Sequence, residues 1–179
     1  MDQEHQSYFG GSLSESIIEL FRDYGVDCSS ISPGADVDAN ADGGSEMGSI
    51  IGFKGAQLRG GLAFVAPTAL IAKTLPVPRN QERGELQLRD WSGEIANQLA
   101  GRLKNKLAAR ALQFDVGTAV CFRGMSIKLS FVPGTEGIAM SFTIAPAGVR
   151  VYLDCSFANL TASDQDTVRI VPEGDVVLF

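Results

Sequence analysis

One stretch of sequence decides the fold: Asp90-Trp-Ser-Gly-Glu-Ile-Ala-Asn-Gln-Leu-Ala-Gly-Arg-Leu-Lys-Asn-Lys-Leu107. Because each residue of an α-helix advances about 100° around the axis, the apolar residues of this stretch fall on one broad face. That face consists of Trp91, Ile95, Ala96, Leu99, Ala100, Leu103 and Leu107. The opposite side carries Asp90, Glu94, Asn97 and Gly101, called the polar stripe below. The periodicity predicts a long helix, from about Gln87 to Leu112, with one buried and one exposed face.

The polar stripe has two features that weaken a helix. Asp90 and Glu94 carry the same charge four residues apart, which costs roughly a few tenths of a kcal/mol. Gly101 costs about 1 kcal/mol relative to alanine in a helix interior. A glycine also lets the backbone of a partner approach closely, and a carboxylate and an amide offer it hydrogen bonds. The spacing therefore fits a partner-binding surface, although an ordinary solvated helix face carries such residues too.

The rest of the sequence predicts strands grouped around helices. Before the long helix we expect a helix at Ser12–Tyr24 with a Ser12–Glu15 capping box and a stop at Gly25, a strand near Asp27–Ile31, a hairpin of Ser49–Phe53 and Gly61–Ala66, and a helix at Thr68–Thr74. After it we expect strands at Thr118–Phe122, Ser126–Phe131, Ile138–Ile144 and Val149–Phe157, and a last hairpin of Thr167–Val171 and Val176–Phe179. The same order, a helix or loop followed by a hairpin, occurs once before and once after the long helix. We predict an α+β fold in which long helices pack on one face of a pseudo-duplicated antiparallel sheet, in a single domain spanning residues 1–179.

Two segments stand apart from this pattern. Residues 33–49 are rich in glycine, alanine and aspartate, and this composition predicts a mobile acidic loop. Its carboxylates could suggest a calcium site: Asp36, Asp38, Asp42 and Glu46. Because their spacing does not match the EF-hand loop, we interpret them as solvated side chains. Residues 158–179 are interpreted as a C-terminal extension.

Composition and charge exclude several classes of protein. The formal net charge of −6 makes nucleic acid an unfavourable partner. No apolar run approaches the roughly 20 residues that a membrane helix requires, and the acidic start does not resemble a signal peptide. We therefore expect a cytoplasmic protein. Its three widely spaced cysteines, Cys28, Cys121 and Cys155, indicate reduced thiols rather than disulfides or a zinc site. The basic residues from Arg102 to Arg110 are interpreted as a solvated helix face.

The usual catalytic groups are missing from the sequence. The single histidine, His5, lies near the terminus, which argues against a Ser-His-Asp or Cys-His site. Neither a P-loop nor a dinucleotide-binding glycine pattern is present. If the protein is an enzyme, another molecule must supply most of its active site.

The polar stripe has the form D-x3-E-x2-N followed by a glycine, and it resembles the signature of the CheX/CheC chemotaxis phosphatases. The flanking sequence extends the resemblance over most of Ser12 to Phe157. It includes Ser49-Ile-Ile-Gly-Phe-Lys-Gly55, Gly60-Gly-Leu-Ala-Phe64, the helix at Thr68–Thr74 and Gly117-Thr-Ala-Val-Cys-Phe-Arg-Gly124.

The resemblance implies a phosphatase that accelerates dephosphorylation of the phospho-aspartate of a CheY-like response regulator. Asn97 would match the amide that orients the attacking water, and Glu94 would match the acid that pairs with the regulator's active-site lysine. Asp90 and Gly101 would support the contact with the partner. The chain itself would hold no cofactor, since Mg²⁺ belongs to the regulator in this family. The first helix has Glu15 and Glu19 without an asparagine three residues later, a single-motif pattern that resembles CheX and implies a homodimer.

Two other functions remain open at this point. The same fold could serve as a non-catalytic docking or oligomerisation module in a signalling or motility complex. Alternatively, Asp90 and Glu94 could form part of a metal-dependent hydrolase, although two carboxylates alone bind a divalent ion poorly.

Overall fold

A computed structural model describes residues 3–34, 44–76, 84–129 and 137–157 of the chain. The elements are α1 (Gln3–Asp23), β1 (Ile31–Pro33), β2 (Ser45–Lys54), β3 (Leu58–Pro67), α2 (Thr68–Thr74), α3 (Glu85–Ala108), β4 (Asp115–Val116), β5 (Val120–Met125), β6 (Gly137–Ile144) and β7 (Val149–Phe157), with a short 3-10 turn at Ala145–Ala147 before β7. No helix in these ranges is long and apolar enough to cross a membrane.

All strand pairs in the described sheet are antiparallel. The order is β1-β6-β7-β3-β2, and both β4 and β5 pair with the outer side of β2. The hairpins β2–β3 and β6–β7 therefore lie side by side, joined through the pairing of β3 with β7. This is the arrangement expected of a duplicated helix and hairpin, and the predicted α+β class with an antiparallel sheet is confirmed.

The long helices α1 and α3 pack together on one face of the sheet. Alternation along each strand sends every second side chain toward them: in β2, Met47, Ile51 and Phe53 are buried in the main core. The predicted apolar face of α3 is confirmed, since all seven of its residues belong to this core or pack against it. Among the described residues, the buried cluster on the opposite sheet face is small and consists of Ala63, Val65 and Tyr152.

Helix α1 begins nine residues earlier than the capping box predicts, at Gln3 instead of Ser12. Ser12 is a buried interior residue whose carbonyl accepts a hydrogen bond from the Ser16 hydroxyl, at 2.7 Å. The helix continues toward its N-terminus because Phe9 is fully buried and the Tyr8 hydroxyl donates to the Lys106 carbonyl, at 2.8 Å. The predicted stop is confirmed, with Gly25 at a φ of +73°.

The segment predicted as an acidic loop is partly a strand. Strand β2 begins at Ser45 rather than Ser49, and the first short strand is β1 at Ile31–Pro33 rather than near 27–31. Glu46 is completely buried, so its interpretation as a solvated carboxylate was wrong. The other three carboxylates of the segment lie outside the described residues.

The burial of Glu46 has a specific cause. Its carboxylate forms an ion pair with Arg150 of β7, whose side chain is only 7% exposed, and it accepts a hydrogen bond from the Ile127 amide at 2.6 Å. Arg150 in turn donates to the Ile127 carbonyl, at 2.8 Å. Because side chains occupy these backbone groups, residues 126–129 form no strand, contrary to the prediction for 126–131.

Several other predictions can be compared directly. Helix α2 and strand β7 have the predicted bounds, whereas β5 begins at Val120 and extends to Met125. The last predicted hairpin lies outside the described residues. All three cysteines are free thiols, and Cys155 alone is fully buried.

The basic residues of α3 are not merely solvated. Arg102 pairs with Asp23 at 2.6 Å and with Glu19 at 3.6 Å. Lys106 pairs with Glu19 at 2.8 Å and with Glu15 at 3.2 Å. These ion pairs join α3 to α1, which the sequence interpretation of a solvated face did not anticipate.

Candidate functional site

Helix α3 holds the polar stripe on its outer side. Asp90, Glu94 and Asn97 are exposed, whereas Gly101 is half-buried. A Cβ atom added at Gly101 would meet nothing within 4 Å. Internal packing therefore gives no reason for glycine at this position.

The inner side of α3 is fixed by packing and by polar contacts. Ser92 and Ser49 of β2 are both fully buried, with their hydroxyl oxygens 2.8 Å apart. A Cβ atom added at Gly93 would lie 3.3 Å from the Cys121 Sγ atom of β5, so this glycine allows the helix to approach the sheet closely. The Cys121 thiol also donates to the Arg89 carbonyl, at 3.2 Å. The stripe is therefore carried by a helix that is anchored along its length.

Glu94 is connected to the first helix through two hydrogen bonds. Gln98 Nε2 donates to Glu94 Oε1 at 2.9 Å, and Gln98 Oε1 accepts from the Tyr24 hydroxyl at 2.7 Å. Neither Gln98 nor Tyr24 was predicted as a site residue from the sequence. The spacing of four residues between Glu94 and Gln98 was a usable local signal. Tyr24 lies 74 residues from Gln98 in the chain, and no local pattern points to it.

Tyr24 is in turn held by aromatic packing. Its ring centroid lies 5.5 Å from that of Trp91 and 6.3 Å from that of Phe21. The Trp91 indole donates to the Thr74 hydroxyl of α2, at 3.0 Å. Burial, and secondarily the negative charge of Glu94, raise the pKa of Tyr24 to about 12. The hydroxyl is therefore protonated at neutral pH and acts as a hydrogen-bond donor.

Asn97 and Asp90 differ from Glu94 in having no partner among the described residues. In the described part of the chain, no hydrogen bond or ion pair involves either side chain. The second oxygen of Glu94, Oε2, likewise accepts no hydrogen bond from a described residue. One turn of helix thus presents an amide and a carboxylate oxygen that are available to another molecule.

Among the described residues, no cluster suited to a metal ion accompanies the polar stripe. Within the described ranges, no group of three or more histidine, cysteine, aspartate or glutamate side chains could hold a metal. Asp90 and Glu94 therefore lack a third described ligand of these types.

Two cavities lie elsewhere on the described surface. A cleft of about 280 Å³ borders the Tyr24 ring and is also lined by Leu70, Lys73 and Thr74. A larger cavity of about 820 Å³ is lined by Gly52, Gly61 and Asp154, on the sheet face that the helices leave uncovered. Burial raises the pKa of Asp154. The larger cavity contains no residue of the stripe.

The family model described as "Chemotaxis phosphatase CheX" matches residues 47–143, more than half of the chain. No curated protein matches the sequence. Similar solved structures include CheX from Vibrio vulnificus, with 21% identity, a TM-score of 0.55, and coverage of 84% of this chain and 95% of that one.

Two further structures have the same fold. A CheC-like protein from Shewanella oneidensis has 20% identity, a TM-score of 0.60, and coverage of 84% and 96% of the two chains. A chain of the CheX–CheY–BeF3–Mg²⁺ complex from Borrelia burgdorferi has 17% identity, a TM-score of 0.53, and coverage of 84% and 96%. The family model spans β2 to β6 and includes all of α3 with its stripe. The chain therefore belongs to the CheX family.

Proposed function

We propose that this protein is a cytoplasmic phosphatase that accelerates hydrolysis of the phospho-aspartate of a CheY-like response regulator. One observation carries the proposal: Glu94 and Asn97 are exposed, one turn apart, on the outer side of a helix whose inner side is buried. Membership of the CheX family supports it. The Borrelia burgdorferi complex supports a regulator as the partner, because that complex contains CheX together with CheY.

In the proposed reaction, α3 enters the regulator's active site and Asn97 orients a water molecule. The water oxygen forms a bond to phosphorus, and the bond from phosphorus to the aspartyl oxygen breaks. The aspartate returns as a carboxylate, and inorganic phosphate leaves with the oxygen and both protons of the water. Because an amide is neither a base nor a strong nucleophile, Asn97 acts by positioning, which is a major source of rate in phosphoryl transfer.

Glu94 has a docking role in this proposal. Its available oxygen, Oε2, would pair with the regulator's active-site lysine, while Asp90 and Gly101 border the contact. The Mg²⁺ ion is assigned to the regulator. The Borrelia burgdorferi complex, which contains Mg²⁺, supports this assignment.

Phosphate release from phosphorylated receiver domains tests the proposal. Each CheY-like receiver of the host is phosphorylated with acetyl phosphate, and its decay is followed with and without the protein. We expect Asn97→Ala to lower the acceleration by about a hundredfold or more, on the scale of lost positioning. Asn105→Ala is the matched control, since Asn105 is an exposed asparagine two turns further along α3. Full activity of Asn97→Ala would overturn the catalytic assignment.

The other functions give different results in the same assay. Binding of a phosphorylated receiver without any acceleration would identify a non-catalytic docking module. Hydrolysis of p-nitrophenyl phosphate by the protein alone, abolished by EDTA, would identify a metal-dependent hydrolase that uses Asp90 and Glu94.

We also propose that the protein is a homodimer. Strand β5 pairs only with β2 among the described strands, and its Val120 and Met125 are 66% and 72% exposed. An exposed apolar edge strand favours pairing with another strand. Sedimentation of the native chain should give a dimer, and Val120→Lys together with Met125→Lys should give a monomer. A monomeric native chain would contradict this.

A further inference from the structure

A chain of hydrogen bonds links Glu94 of the stripe to the protein's interior. Gln98 donates to Glu94 and accepts from Tyr24. Only this orientation of the Gln98 amide satisfies both neighbours, since the reversed amide would turn its carbonyl oxygen toward the Glu94 carboxylate. The Glu94 carboxylate, which can only accept, therefore sets which end of the amide faces it, and the Tyr24 hydroxyl anchors the other end by donating to Gln98 Oε1.

Tyr24, at the inner end of this chain of hydrogen bonds, has little freedom to move. Tyr24 follows α1 directly and packs nearly perpendicular to Phe21, with 88° between the ring planes. Its other neighbour, Trp91, is fixed by its hydrogen bond to Thr74. Segments of the three described helices thus meet around one tyrosine ring.

We infer that Gln98 and Tyr24 are positioning residues that hold the Glu94 carboxylate ready for a cation of the partner. The inference rests on the proposed function, in which that cation is the regulator's lysine. Gln98 occupies Oε1 and leaves Oε2 available, so the partner meets a carboxylate whose rotamer is already selected. A long side chain that is already ordered before binding does not lose further conformational entropy when the partner binds.

The expected consequence is confined to affinity. Loss of the ordering of one flexible side chain should weaken binding of the regulator by about two- to tenfold. The maximal rate should change little, because Asn97 orients the water and is not part of the hydrogen-bond chain.

Two variants interrupt this chain of hydrogen bonds at different points. Gln98→Met deletes the amide and keeps a side chain of similar length, and Tyr24→Phe deletes the hydroxyl and keeps the ring. Both should raise KM for the receiver that responds in the phosphate-release screen by about two- to tenfold, with kcat retained. Titration of the same receiver, saturated with BeF3⁻ and Mg²⁺, should give the same loss in Kd.

Tyr8→Phe is the matched control. Tyr8 lies on α1 and, like Tyr24, donates a hydrogen bond to α3, at the Lys106 carbonyl, but it makes no contact with Glu94 among the described hydrogen bonds. Its loss should lower the unfolding free energy much as Tyr24→Phe does, while KM stays at the native value. Equal increases in KM for both tyrosine variants would indicate a general structural effect and overturn the inference.

A double-mutant cycle separates positioning from mere stability. In a Glu94→Ala background, Gln98→Met should have no further effect on KM or Kd, because there is no carboxylate left to position. The same fold-increase in both backgrounds, or no increase in the native background, would overturn the inference. If Asn97→Ala also keeps full activity, the proposed function fails. If Asn97→Ala is inactive while Gln98→Met is unaffected, only the positioning role fails.

Discussion

Replacing Glu46 by alanine should destabilise the fold severely. The substitution leaves the Arg150 guanidinium buried without its carboxylate, at a side-chain exposure of 7%. The Nε atom of Arg150 already lacks a hydrogen-bond partner in the described structure, so the charge would lose its main compensation. Removal of one member of a buried ion pair costs about 3–5 kcal/mol. That loss is a large part of the roughly 5–15 kcal/mol that stabilises a domain.

The double substitution Glu46→Met with Arg150→Met should recover most of this loss. It removes both charges, and among the described contacts only the amide and the carbonyl of Ile127 then lose their partners, at about 1 kcal/mol for each lost hydrogen bond. Urea unfolding followed by the fluorescence of Trp91, the only tryptophan, measures all three proteins. A loss below about 1 kcal/mol for Glu46→Ala, or a double variant as unstable as the sum of the single variants, would refute the buried-pair reasoning.

Three further outcomes are expected. Gly101→Ala should stabilise α3 by up to about 1 kcal/mol in urea unfolding, since the added methyl group meets nothing, while the affinity for a phosphorylated receiver falls. A hydrogen bond from Lys106 holds the pKa of Glu19 below its ordinary value of 4.5. The stability from this pair, at most about 1 kcal/mol because Glu19 is well exposed, should therefore be present above pH 4.5 and be lost as the pH falls through the lowered pKa. Lys106→Met should weaken that dependence, and Arg102, which also lowers the pKa of Glu19, should maintain the remainder. Burial raises the pKa of Cys155 to about 12, so iodoacetamide at neutral pH should label it, as mapped by mass spectrometry, only after unfolding.

The elements with strong periodicity were predictable from sequence. Helix α3 repeats its apolar residues over several turns, and β7 has an apolar residue at every second position from Val149 to Phe157 after a glycine turn, so their existence follows from local sequence. The start of α1 was predicted wrongly because the Ser12 capping signal is local. The packing of Phe9 and Tyr8, which extends the helix, is tertiary.

The environment of single polar residues was less predictable. Glu46 lies among glycines and aspartates and is separated from Arg150 by 104 residues, so its sequence context indicates a solvated position. Likewise, the spacing of Glu94 and Asn97 suffices to place them on one side of a helix. The support from Tyr24 depends on how α1 packs against α3. A single sequence does not specify that packing.

Because Gly93 lies close to Cys121, helix α3 and strand β5 are neighbours in the structure although they are distant in sequence. A neighbouring strand added along the outer edge of β5 would come to rest against the opening turns of α3, where Asp90 lies. The proposed dimerisation and access of a partner to the Asn97 amide would then depend on the same part of the surface. Addition or removal of that strand would change the surface around the polar stripe, while helix α3 itself would stay unchanged.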